Sequence, residues 1–234
     1  MSKLLYMEDC YLREFDAVVR EADGNRVVLD QTAFYPESGG QPSDTGEIYK
    51  NGCVYRVVRV YKDKGKVVHE LDKPGLLVGD RVKAKIDWDR RYLFMRYHTA
   101  CHVLSTVIHN VTGAEITGNQ IGEERTRIDF SLKEFDREKI QDYVKAANRL
   151  IDDARAVRIK MLPREEAFKI PSLVKLRKML PESIKQVRVV EIEGFDQQAC
   201  AGTHVANTKE IGHIKVVELK NKGKDNRRVY FVLV

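Results

Sequence analysis

The chain has 234 residues, of which 43% are hydrophobic and 32% charged, so it can form a packed core and is not a disordered protein. It has no run near the roughly 18–20 apolar residues of a membrane helix, and acidic residues come too early at the N-terminus for a secretion signal. The formal net charge is +6. We therefore expect a cytoplasmic protein with no membrane partner.

Residues 1–88 have the pattern of short strands joined by tight turns. Asp23-Gly24-Asn25 and Asn51-Gly52 each separate two apolar runs, which is typical of β-hairpins. From Val82 to Trp88, apolar residues alternate with charged ones, as in a half-buried strand. About six strands without helices predict a small closed β-barrel domain over residues 1–88.

Residues 89–234 mix helical and strand patterns. Asp89 and Asp136 are the predicted N-caps of two helices, each followed by apolar residues at helical spacing. Pro171 and Pro181 bracket a short basic helix, and strands alternate with these helices up to Val234. The pattern predicts a second domain over residues 89–234 and an α+β fold class for the whole chain.

One segment interrupts the strands of the first domain. It runs Thr-Ala-Phe-Tyr-Pro-Glu-Ser-Gly-Gly-Gln from Thr32 to Gln41. The two glycines after Ser38, Gly39 and Gly40, allow either a sharp turn or a close approach of the backbone to a ligand. The residues alone leave both explanations open.

Two pairs of metal-ligand residues stand out in the second domain. His98 and His102 lie four apart on the first predicted helix, so both imidazoles can face one cation. Cys200 and His204 have the same spacing about a hundred residues later. One cysteine with three histidines favours zinc, one ion per chain.

Other candidate ligands fit this site less well. His109 is roughly 10 Å along the helix from His102, and Cys101 points about 100° away from it, in line with the apolar stripe. No glutamate lies within the HxxxH motif, which disfavours a peptidase. Four protein ligands are typical of structural zinc, whereas catalytic zinc usually keeps one position for water. The sequence alone leaves both kinds of zinc site open.

Basic residues concentrate in the second half of the chain. Residues 169–188 hold six basic side chains and one acidic one, and residues 215–228 hold six and two. Such clusters suit a polyanion such as RNA, although a solvated lysine-rich surface explains them as well.

The motifs together resemble a known family. His98-Thr-Ala-Cys-His102, the ITGNQIGEERTRIDFS stretch (116–131) and Cys200-Ala-Gly-Thr-His204 are similar to the editing domain of alanyl-tRNA synthetases. The segment TAFYPESGGQPSDTG (32–46), here the glycine-rich segment, is similar to the motif that precedes that domain. The chain carries no aminoacylation domain, so it resembles the free-standing AlaX family in its medium-length form.

This resemblance implies a hydrolase that deacylates mischarged Ser-tRNA(Ala), and also Gly-tRNA(Ala), at a zinc site, with no nucleotide cofactor. It implies Thr32 and Gln41 in the catalytic pocket, Thr32 reading the serine hydroxyl and Gln41 orienting substrate or water. Ser38, Gly39 and Gly40 would contact substrate. We expect the basic stretches to contact the tRNA through six residues: Lys175, Arg177, Lys178, Lys222, Lys224 and Arg227.

Three residues depart from the family pattern: Cys101 where threonine is common, Ala201 where glycine is common, and Ser38 within a usual triple glycine. None of them removes a metal ligand. The alternative functions are a non-catalytic, zinc-stabilised tRNA-binding module and a zinc amidohydrolase acting on small substrates. The sequence leaves the oligomeric state open.

Overall fold

The structure is a computed structural model that describes residues 2–132, 136–178 and 181–234, with only the backbone given for 175–178. The chain forms two compact units. The first comprises Met1–Met95 with Gln120–Glu123, and the second comprises Arg96–Asn119 with Glu124–Val234. We expected a boundary near residue 88; the change of unit falls at Met95 and Arg96, inside helix α1 (Trp88–Thr112).

The first unit contains the predicted barrel. Its strands are β1 (Lys3–Leu4), β2 (Glu14–Asp23), β3 (Arg26–Leu29), β4 (Gln31–Thr32), β5 (Gly46–Lys50), β6 (Cys53–Asp63), β7 (Lys66–Leu71) and β8 (Arg81–Ile86). Six of them close in the order β2, β3, β7, β6, β5, β8, with antiparallel pairing. The prediction of a small closed β-barrel is confirmed.

Tight turns set the register of this barrel. Asn51 and Gly52 have φ of 48° and 80°, and Lys64 and Gly65 have φ of 45° and 79°. Positive φ at both central residues is the geometry of the two-residue hairpin turns that match strand twist. The inward-facing positions of the strands fill the barrel with a continuous apolar core that includes Val19, Leu29, Ile48 and Val60.

The second unit is α+β, as predicted. After α1 come β9 (Ile116–Gln120), β10 (Thr126–Phe130), α2 (Arg137–Asp152), β11 (Val157–Pro163), α3 (Arg164–Ala167), β12 (Gln186–Ile192), β13 (Asp196–Ala199), β14 (Ile214–Asn221) and β15 (Arg227–Leu233). They form a four-stranded sheet in the order β14, β15, β10, β9 and a three-stranded sheet in the order β11, β12, β13. Short 3-10 helices cover Pro171–Lys178 and Thr208–Ile211 in this unit, and Leu5–Met7 in the first unit.

The N-cap of α2 lies where the sequence predicts it, whereas the N-cap of α1 does not. The side chain of Asp136 accepts from the backbone N–H groups of Glu138 and Lys139, which confirms it as the N-cap of α2. At α1 the cap lies earlier than predicted, because Asp87 accepts from the N–H of Arg90 at 3.3 Å. Trp88 therefore belongs to α1 and not to the preceding strand, and Asp89 lies in the first turn.

Candidate functional site

The four predicted metal ligands converge in the second unit. The ligand atoms of His98, His102, Cys200 and His204, here the metal cluster, all lie within 4.8 Å of one another. The Cys200 sulfur lies 3.5 Å from His98 Nε2 and 3.3 Å from His204 Nε2. The cluster could hold a metal ion, because several lone pairs point to one place.

Two elements position these side chains. One turn of α1 places His102 above His98, as the four-residue spacing predicts. Cys200 and His204 lie on the loop that follows β13. The guanidinium of Arg188, only 4% exposed, donates to the carbonyls of Cys200 and Gly202 at 2.6 and 2.9 Å and so holds this loop.

Two further residues contact the imidazoles, and no spacing pattern in the sequence points to either of them. Asp196 Oδ2 lies 3.4 Å from His102 Nδ1, and Thr99 Oγ1 lies 3.1 Å from His204 Nδ1. The Thr99 hydroxyl also accepts from the N–H of Val205, and its second lone pair can accept the Nδ1–H of His204. These contacts keep the Nε2 lone pair of each ring available, as in metal sites where an acceptor fixes the tautomer.

The electrostatics of the metal cluster favour a thiolate. Burial raises the pKa of the Cys200 thiol, but the charges of His98 and His204 and hydrogen bonds with His102 and His204 outweigh burial, so the pKa lies well below its usual value. Burial lowers the pKa of His102, whereas the neighbouring Asp196 carboxylate and Cys200 sulfur raise it, to about 9. The thiolate is the form of cysteine that binds metals.

The residues judged less suitable as ligands lie elsewhere. Cys101 is buried outside the metal cluster, and burial raises the pKa of its thiol, so it is an apolar packing residue. His109 is exposed and lies 3.0 Å through Nδ1 from the carbonyl oxygen of Ala114 near the end of α1.

In the first unit, the glycine-rich segment contains a tight turn. The backbone N–H of Ser38 donates to the carbonyl of Gln41 and the reverse bond is also made, at 3.1 and 2.9 Å. Gly39 and Gly40 have φ of 57° and 80°, a conformation that a side chain would disfavour. The turn explanation therefore accounts for both glycines, while Gln41 is buried.

Thr32 is fully buried in the same unit. Its hydroxyl lies 2.8 Å from His69 Nε2 and accepts from the N–H of Phe34 at 3.1 Å. His69 Nδ1 lies 3.3 Å from the carbonyl oxygen of Val27, so the Nδ1–H tautomer lets His69 accept the Thr32 proton. Burial lowers the pKa of His69 to about 4, and the Val27 carbonyl offsets this only in part.

A buried ion pair anchors the other end of the glycine-rich segment. Arg91 and Asp44 pair with both side chains fully buried, and Arg91 also donates to the carbonyls of Cys10 and Ala33. The Asp44 carboxylate further accepts from the N–H of Tyr35. Thr32, Ala33, Tyr35 and Asp44 each form a hydrogen bond or an ion pair. Side chains that the sequence patterns did not single out therefore hold this segment in place.

The basic residues proposed to contact tRNA have different environments. Lys222 and Lys224 are exposed. Arg227 is 7% exposed, and its guanidinium donates to the carbonyls of Gly223 and Lys224 in the β14–β15 turn. The side chains of Lys175, Arg177 and Lys178 lie outside the described residues. Within the described ranges, no helix is both long and apolar enough to cross a membrane.

Comparisons with known proteins agree with these motifs. Residues 6–90 match the family model described as tRNA synthetases class II (A), and residues 187–230 match the threonyl and alanyl tRNA synthetase second additional domain. The chain is 50% identical to the alanyl-tRNA editing protein AlaX-M of Methanosarcina barkeri, over 100% of both chains. It is 41% identical to the alanyl-tRNA editing protein AlaX-M of Saccharolobus solfataricus, over 100% of this chain and 99% of that protein. It is also 38% identical to the alanine–tRNA ligase of Pyrococcus abyssi, over 98% of this chain and 26% of the ligase.

Proposed function

The chain belongs to the family of the alanyl-tRNA editing proteins AlaX-M, and on that premise we propose that it hydrolyses the ester of mischarged Ser-tRNA(Ala) and Gly-tRNA(Ala). The observation that carries the proposal is the convergence of His98, His102, Cys200 and His204. The full-length relationship to editing proteins supports the proposal that this cluster is the centre of an aminoacyl-tRNA hydrolase.

We propose zinc as the metal. Zn–N bonds of ~2.0–2.1 Å and a Zn–S bond of ~2.3 Å in a tetrahedron separate nitrogen and sulfur ligand atoms by roughly 3.6 Å. The Cys200 sulfur lies 3.5 Å from His98 Nε2 and 3.3 Å from His204 Nε2, close to this value. The mixed thiolate and imidazole donor set is also one that zinc prefers. When bound, zinc would position the aminoacyl group or polarise a water.

Selectivity must come from the protein side chains. A synthetase pocket sized for alanine cannot exclude glycine and rejects serine weakly, so these errors need a second, hydrolytic site that spares alanine. We assign the Thr32 hydroxyl to the serine hydroxyl and Gln41 to orienting substrate or water. With its proton donated to His69 and one lone pair used by Phe34, Thr32 would accept a hydrogen bond from serine. Alanine would leave that acceptor unpaired.

Ser38, Gly39 and Gly40 are assigned to substrate contact through their backbone. The turn that they form leaves Gly39 exposed. A Cβ atom added at Gly39 would have no other heavy atom within 4 Å. A backbone this open can be approached closely by a ligand.

The tRNA partner would be held by phosphate contacts. Lys222 and Lys224 are exposed on the β14–β15 turn, whereas Arg227 shapes that turn from inside. Contacts of this kind supply affinity that depends on salt and little on sequence. A cytoplasmic location follows from this substrate.

Deacylation of Ser-, Gly- and Ala-tRNA(Ala) by the purified protein tests the proposal. We expect rapid release of serine, release of glycine, and little release of alanine above the uncatalysed rate. Binding of all three without hydrolysis would instead identify the non-catalytic module. Hydrolysis of alanine as fast as serine would contradict the assigned selectivity.

A further inference from the structure

One face of the four-stranded sheet in the second unit has no part in the proposed function. On the other face, β10 and β15 bring together side chains that are fully buried: Thr126, Ile128, Phe130, Val229 and Phe231. Tyr97 of α1 packs on this buried face, with its ring centroid 5.9 Å from that of Phe231. Because successive side chains of a strand point to opposite faces, Arg127, Arg228 and Tyr230 lie on the opposite face, here the open face.

Cations are concentrated on the open face. The register of β14 with β15 places Lys215 and Lys220 there, and Arg125, directly before β10, reaches it as well. The side chains of Arg125 and Lys220 are 48% and 47% exposed. Among the described residues of the sheet, the open face carries five cations and two carboxylates: Arg125, Arg127, Lys215, Lys220, Arg228, Asp129 and Glu218.

The carboxylates hold these cations in place without neutralising all of them. Asp129 accepts from Arg228 Nε at 2.7 Å and from Arg127 Nη1 at 2.9 Å. Glu218 pairs with two cations in the same way, at 2.9 and 2.8 Å. Each carboxylate therefore serves two cations, and each group of three keeps one positive charge. Cations that are already fixed lose less conformational entropy when they bind a partner.

Tyr230 lies at the centre of the cations. Its ring centroid is 4.3 Å from the guanidinium carbon of Arg125 and 5.3 Å from Lys220 Nζ. Arg228 Nη1 donates to the Tyr230 hydroxyl at 3.3 Å. This hydrogen bond lowers the pKa of the Tyr230 phenol, and the charges of Lys220 and Arg125 lower it further. The groups that favour the phenolate would favour any other anion placed there.

We propose that the open face binds the sugar–phosphate backbone of the tRNA. Guanidinium and ammonium groups are the side chains that contact phosphates, and strand β15 spans roughly 13 Å from Arg228 to Val232, a length over which a nucleic-acid strand presents several phosphates. The open face continues into the β14–β15 turn with its exposed Lys222 and Lys224. Charged residues are depleted from the centres of protein interfaces, which favours RNA over a protein partner. This inference rests on the proposed function, because it takes tRNA as the RNA.

The test removes one cation from each carboxylate. In the double variant Arg125→Gln, Arg127→Gln, each carboxylate keeps its second cation, so neither is left unpaired. The matched control is Arg20→Gln, Arg158→Gln, which removes the same charge from two exposed ion pairs outside the open face. Lys215→Glu reverses one exposed charge of the open face and serves if the double variant fails to fold by circular dichroism.

The measurement is the binding of uncharged tRNA(Ala) at several salt concentrations. We expect the double variant to raise Kd about tenfold or more at about 0.1 M salt and to make the slope of log K against log salt shallower by about 1.4 to 1.8, the value for two phosphate contacts. The control should keep the slope of the parent. An unchanged slope in the double variant, or in Lys215→Glu where the double variant does not fold, would overturn the inference, and so would an equal change in the control.

Uncharged tRNA separates this inference from the proposed function, because its binding requires no hydrolysis. Binding that weakens in the double variant would support the open face even if Ser-tRNA(Ala) were not hydrolysed, in which case the proposed function alone would fail. Hydrolysis of Ser-tRNA(Ala) by the parent, with tRNA binding equal in the double variant, would overturn the open face and leave the function standing. Polyglutamate bound as tightly as tRNA, and weakened equally in the double variant, would overturn RNA as the partner.

Discussion

Each unit of the protein buries histidine, and the two environments are opposite in kind. In the barrel, His69 stands alone between a hydroxyl and a backbone carbonyl, and burial lowers its pKa to about 4. In the second unit, His98, His102 and His204 crowd together around Cys200, with ring centroids 4.4 to 5.4 Å apart. All four histidines are buried, so burial does not distinguish a ligand from a core residue.

The difference lies in how the ring nitrogens are used. Both nitrogens of His69 have protein partners, which satisfies a neutral imidazole. In the metal cluster, His102 and His204 turn Nδ1 toward Asp196 and Thr99, and their other nitrogens meet a thiol. Convergence of ring nitrogens on one point, with acceptors behind the rings, is the arrangement that could hold a metal ion.

The largest effect should follow removal of the ligands. A His98→Ala, Cys200→Ser double variant loses two of four donors, so we expect its zinc content, close to one per chain in the parent, to fall to near zero. Hydrolysis of Ser-tRNA(Ala) should be lost with it. Elemental analysis after dialysis measures the metal directly.

His69→Phe is the control for that experiment, because it deletes an equally buried imidazole from the barrel. It should keep a full zinc complement. Full zinc in the double variant, or lost zinc in His69→Phe, would reverse the assignment of the two histidine environments.

The second effect concerns pH and the barrel histidine. The pKa of His69 is about 4 when folded against 6.5 as its ordinary value, so the unfolded chain binds more protons between these values. The stabilisation is therefore fully present above pH 6.5 and is lost as pH falls toward 4, a total of about 3 kcal/mol. Urea unfolding from pH 7 to 4.5, followed by the fluorescence of Trp88, the single tryptophan, measures it.

The variant His69→Phe removes this titration. Its unfolding free energy should change less between pH 7 and 4.5 than that of the parent. Parallel pH profiles for the two proteins would show that His69 is charged in the folded barrel, contrary to its environment.

A smaller effect is expected behind the metal cluster. Asp196→Asn keeps the shape of the side chain but removes the charge that faces His102 Nδ1, and such changes weaken metal affinity roughly 10- to 100-fold. Competition with a chelator of known affinity measures the loss. Asp152→Asn is the matched control, since Asp152 pairs with His213 at an exposed site outside the metal cluster. Equal zinc affinity in both variants would remove Asp196 from the site.

The smallest effect tests whether Thr32 serves only the barrel. Thr32→Val keeps the volume and deletes the hydroxyl. If that hydroxyl reads serine, hydrolysis of Ser-tRNA(Ala) should lose ~1–3 kcal/mol of transition-state stabilisation while Gly-tRNA(Ala) changes little. Single-turnover deacylation of both substrates measures this. Proportional losses on both would make Thr32 a structural partner of His69 and no reader of the substrate.

Features encoded within a few residues could be predicted from the sequence. The four candidate metal ligands form two pairs with four-residue spacing, the tight turns carry glycine where φ is positive, and Asp136 precedes an apolar helical stripe. Each of these patterns depends on local backbone geometry alone. That is why the barrel, and the convergence of these four side chains, could be predicted from the sequence.

The supporting contacts depend on tertiary structure. Thr32 meets His69 across 37 residues, Arg91 meets Asp44 across 47, and Asp196 reaches His102 from strand β13. Likewise, Arg188 and Arg227 count as surface charge in the sequence but donate to loop carbonyls when folded. Composition shows which donors a chain carries. Only strand register and packing decide which acceptors they meet, because those partners are brought together by the fold and not by their spacing along the chain.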